Sequence, residues 1–76
     1  MDNLNDELKH VAWQIAMAKK IIAEQLAIIE ALRAAGSPFA FAEETLRIMT
    51  RILDFFQADE RDLRSAIEQK SELLER

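Results

Sequence analysis

The chain has 76 residues, 14 of them acidic and 10 basic, with a formal net charge of −4. Half of it is hydrophobic, cysteine is absent, and glycine and proline occur once each. These numbers describe one small domain, exclude disulfides, thiolate chemistry and cysteine-ligated metals, and suit a reducing cytoplasm, where we expect the protein to reside. No apolar run reaches the roughly 18 to 20 residues of a membrane span. The opening Met-Asp-Asn-Leu-Asn-Asp-Glu also lacks the basic start of a secretory leader.

In chain order, Asn3 or Asn5 can cap a first helix whose opening turn carries Asp6 and Glu7, favourable charges at the positive dipole end. Nothing interrupts that helix, expected over about 4–35. Gly36-Ser37-Pro38 is the one punctuated place in the chain. Gly36 suits the left-handed position that ends a helix, Ser37 can serve as N-cap of the next, and Pro38 fits its first turn. The turn is therefore expected at 36–37 and a second helix over about 38–74, with Ser71 to Arg76 fraying. A connection this short forces two long helices antiparallel, giving an all-α helical hairpin over residues 1–76.

The apolar spacing points the same way. In the first helix, Leu4, Leu8, Val11, Ile15, Ala18, Ile22, Gln25, Ile29 and Leu32 alternate in steps of four and three. In the second, Phe39, Ala42, Leu46, Met49, Leu53, Phe56, Glu60, Leu63, Ile67, Lys70 and Leu74 do the same. Such steps average about 3.5 residues and form a narrow coiled-coil seam. Gln25, Glu60 and Lys70 are its polar members, and residues of this kind set register or oligomer state at some cost in stability. Mirrored about the turn, Ile22 falls near Leu53, Ile15 near Glu60 and Leu8 near Ile67.

A second apolar stripe lies off the seam. Trp13, Met17, Ile21 and Ile28 project together from the first helix, and Phe41, Ile48, Ile52 and Phe55 take the matching orientation on the second. The opposite flank is polar, with Lys19, Arg33, Glu43, Thr50, Gln57 and Arg64, apart from Leu26. A two-helix hairpin has no third layer to cover such a stripe, and contiguous exposed apolar surface marks an interaction site. Packing two hairpins into a four-helix bundle would cover it; so would a different protein. The stripe fades at Asp59 and Asp62, so contact belongs to the turn-proximal two-thirds.

Chemistry finds little support. His10 is the only histidine, and a di-iron bundle needs a Glu-x-x-His motif on each of two helices. One glycine cannot build a phosphate loop or nucleotide fingerprint. Ser37 is explained by capping, and Ser65 and Ser71 have no histidine or lysine placed to activate them. Arg47, Arg51, Arg61 and Arg64 are interleaved with Glu43, Glu44, Asp54, Asp59, Glu60 and Asp62, and pairs such as Glu43–Arg47 and Glu60–Arg64 have the spacing of a solvated, self-paired helix surface. The net negative charge opposes binding to nucleic acid and to anionic membranes. No metal, cofactor or catalytic residue is expected.

In this layout the chain resembles a group of short helical-hairpin proteins from soil and plant-associated bacteria. The resemblance runs through His10-Val11, Ile22, Gln25, Ile28, Ile29 and Leu32, then Gly36, Ala42-Glu43, Leu46 and Asp62-Leu63. It implies the hairpin fold and no activity, substrate or cofactor. The expectation is thus a small, non-catalytic interaction or structural protein that associates with itself as a homodimer. The alternative is an adaptor or regulator whose stripe binds a different protein. An all-helical enzyme comes third, and would require an enclosed pocket lined by several charged side chains.

Overall fold

The computed structural model describes residues 3–75, and among these it contains two helices and no strand: α1, Asn3–Ala34, and α2, Ala40–Glu75. They form an antiparallel hairpin, a rod of 63 × 15 × 13 Å. The length follows from α2, whose 36 residues span about 54 Å at ~1.5 Å per residue.

The seam holds the two helices together. Val11, Ile15, Ala18 and Ile29 of α1 and Ala42 of α2 are the buried side chains. Leu4, Leu8, Ile22, Gln25 and Leu32 flank them from α1, and Phe39, Leu46, Met49, Leu53, Phe56, Glu60, Leu63 and Ile67 from α2, all half-buried. Two surface grooves fix the register: one brings Leu8 beside Ile67, the other Ile29 beside Leu46. Each pair is mirrored about the turn as the heptad alternation requires. Lys70 and Leu74 depart from the expected seam. Both are exposed, so the packed seam ends at Ile67, where the open end of the hairpin lets a long side chain reach water. α2 itself stays helical through Glu75.

The turn is built differently from expectation at one end. Gly36 has φ of 70°, the left-handed conformation that an L side chain resists. The Ser37 amide donates to the Leu32 carbonyl at 2.9 Å and the Gly36 amide to the Arg33 carbonyl at 3.1 Å. These two bonds are the Schellman pattern that closes a helix C-terminus. Ser37 is therefore engaged in ending α1 and does not cap α2. The first bond of α2 runs from the Glu43 amide to the Phe39 carbonyl at 3.0 Å, so α2 begins at Ala40 and Pro38 precedes it. Phe39, whose carbonyl accepts that bond, thus takes the N-cap position, and Pro38 lies before the helix rather than in its first turn. The Arg33 guanidinium lies 5.4 Å from the Phe39 ring centre, a cation–π contact bridging the helix end and the turn. At the other terminus, Asn3 and Asn5 are already helical. Neither therefore takes the N-cap position of α1.

Polar side chains are settled locally. The Thr45 hydroxyl donates to the Phe41 carbonyl at 3.1 Å and the Thr50 hydroxyl to the Leu46 carbonyl at 2.8 Å. Glu60 and Arg64 pair at 3.7 Å, as their spacing anticipates. Arg47 pairs with Glu44, one turn-step nearer than the expected Glu43. The Arg47–Glu44 pair is solvent-exposed and the Glu60–Arg64 pair is open on its Arg64 side, and such pairs contribute little, about 0–1 kcal/mol. No buried side-chain nitrogen or oxygen among the described residues lacks a hydrogen-bond partner.

Candidate interaction surface

The second stripe lies on one face of the rod and in contact with water. Phe41 is 86% exposed, Phe55 70%, Trp13 60%, Ile48 48% and Ile28 43%. Met17, Ile21 and Ile52 are half-buried. Phe55 also meets the seam residue Phe56 edge-on, with ring centres 6.2 Å apart, so the stripe and the core are continuous there. Thr45 belongs to this face as well, between Phe41 and Ile52 in the helical pattern. Its hydroxyl is satisfied inside its own helix, so it introduces no unpaired donor into the apolar surface.

The magnitudes are unusual for a free monomer. An aromatic side chain buries about 150–250 Å², so Trp13, Phe41 and Phe55 at these exposures present roughly 450 Å² between them. The isoleucines and Met17 add to this. The largest apolar patch on an ordinary monomer totals only about 300–600 Å². The whole molecule says the same: it exposes 5,949 Å², whereas a compact monomer of this mass exposes about 4,700 Å². The excess, roughly 1,200 Å², exceeds the ~800 Å² that each partner gives to a standard protein–protein interface.

The opposite flank carries one apolar feature that heptad reading treated as an exception. Leu26, 50% exposed, lies in a groove with Ile29, Leu46 and Thr50, ringed by Arg33, Glu43, Arg47 and Arg51. Leu73, 69% exposed, is beside Leu74, 78% exposed, near the end of α2, and both lie outside the stripe.

A polar depression is lined by Asp54, Gln57, Glu60 and Arg61, four residues of one face of α2, so it is a surface concavity of a single helix. His10 stacks on Trp13, with ring centres 6.2 Å apart and planes 17° from parallel, at the edge of the apolar stripe. Among the described residues there is no group of three or more His, Asp or Glu side chains placed to hold a metal ion. No helix among them is long and apolar enough to cross a membrane.

No protein family, curated protein or solved structure matches the chain.

Proposed function

We propose that this protein is a small, non-catalytic interaction or structural module of the cytoplasm that works as a homodimer, two hairpins closing over the Trp13–Phe55 face to make a four-helix bundle. The observation that carries this reading is the exposed apolar face, together with the roughly 1,200 Å² by which the hairpin exceeds a compact monomer's surface. Thin packing supports it too. Among the described residues five side chains are buried, and a small single core rarely supplies more than ~3 to 5 kcal/mol. Covering the face adds about 1.5 to 3 kcal/mol for each large side chain that becomes fully buried.

The chain contains its own reporter. Trp13 is the only tryptophan, it lies on the face in question, and it is 60% exposed in the single hairpin. Its emission should shift to shorter wavelength as concentration rises through the dimerisation range, in step with a doubling of mass. Emission that stays at the solvent-exposed position at every concentration would assign the face to a different protein, and with it the adaptor or regulator role.

A further inference from the structure

The apolar face is off-centre on the rod, and that offset selects how two hairpins meet. In the register shown by Leu8 beside Ile67 and Ile29 beside Leu46, Phe41 stands level with position 34 of α1, and Trp13 marks the other limit. The face thus spans about 32 Å at ~1.5 Å per residue. Ile21 and Ile52 are near its middle, which falls roughly 8 Å to the turn side of the rod's own midpoint.

Two closed two-fold arrangements place this face against itself. With the axis along the rod, the hairpins are parallel and align over their whole length. Exposed Asp59 and Asp62, where the stripe ends, then lie level with their own copies, and the two turn-distal halves lie side by side. In the sequence, residues 1–20 and 54–76 carry three of the four net negative charges, so this arrangement sets like charge against like. With the axis perpendicular to the rod, the turn-proximal parts slide past one another. Trp13 of one hairpin then comes level with Phe41 of its partner, on the neighbouring helix, at each end of the contact. The acidic ends project in opposite directions.

Resting on the dimer reading above, we infer that the hairpins associate antiparallel, about a two-fold axis passing near Ile52. Ser71, exposed at the distal end, is then about 60 Å from its copy, and Ser37 in the turn about 40 Å from its own, at ~1.5 Å per residue. A parallel dimer holds both pairs within about 30 Å, since packed helices lie ~8–10 Å apart.

The chain has no cysteine, so Ser71→Cys and Ser37→Cys each provide a single site for a spin label in the full-length protein, away from the face. Pulsed dipolar spectroscopy, with the mass of each labelled variant measured in the same buffer, should give distances near 60 and 40 Å in a species of dimer mass. Two short distances at dimer mass overturn the antiparallel geometry and leave the dimer standing. A monomer mass with no interchain distance overturns the dimer reading itself.

Discussion

Replacing Ile52 by glutamate tests the face where it is most sensitive. Ile52 is half-buried and off the seam, so the hairpin can keep its helices when the side chain turns to water. In the dimer the two copies meet near the axis. Losing the remaining burial of two isoleucines removes about 1 kcal/mol each. Two carboxylates about 6 Å apart repel by roughly 3 kcal/mol at an effective dielectric of ~20. Together this is about 5 kcal/mol, a more than thousandfold weakening at ~1.4 kcal/mol per factor of ten. Sedimentation should show the variant as a monomer at micromolar concentration, while circular dichroism retains much of the helical signal. Arg61→Glu, a change on an exposed position away from the face, should alter neither. The sign of the pH effect is also fixed: facing carboxylates have a raised pKa in the dimer. The variant's dimer is therefore favoured by acidification and lost as pH rises through that pKa. An Ile52→Glu variant with unchanged native mass would refute the assignment of this face as the contact. Immediate loss of helicity would instead place Ile52 in the hairpin core.

Three further outcomes separate seam, turn and face. Ile15→Ala, at a position only 8% exposed, should cost about 2–4 kcal/mol, and dimer and helicity should disappear together in a thermal melt. Gly36→Ala meets no atom within 4 Å of the added methyl group but must keep a φ of +70°. It should therefore cost about 1–2 kcal/mol of backbone strain, lowering Tm by roughly 4–8 °C for each kcal/mol with the mass unchanged. Glu60→Leu should raise Tm, because a partly exposed ion pair with Arg64 worth at most about 1 kcal/mol is exchanged for apolar burial in the seam. A fall in Tm would show that Glu60 holds the register.

The parts of this fold that were legible in the sequence are those governed by period and by backbone chemistry. Steps of four and three located Val11, Ile15, Ala18, Ile29 and Ala42 in the core, because a long helix can bury only one narrow stripe against one neighbour. Gly36 was legible because only glycine enters the left-handed region freely. The start of α2 was misread by two residues, since Ser37 satisfies the sequence preferences of an N-cap and of a helix-closing position equally well. Its amide closes α1 on the Leu32 carbonyl at 2.9 Å and the first bond of α2 falls to the Phe39 carbonyl, a choice of local backbone bonding that residue preferences do not decide. Lys70 and Leu74 continue the heptad alternation, but spacing alone cannot register where packing against α1 ends. The same limit explains Arg47: Glu43 and Glu44 are both within helical reach, and rotamer geometry selects Glu44. The stripe's composition was legible, whereas its division into exposed Trp13, Phe41 and Phe55 and half-buried Met17, Ile21 and Ile52 required the angle at which the two helices meet.

The central claim is that the exposed apolar face is covered by a second copy of the chain. Sedimentation equilibrium over a wide concentration range tests it most directly. The account predicts a mass of twice 8.7 kDa that persists to low micromolar concentration. A mass of 8.7 kDa at every concentration would contradict it.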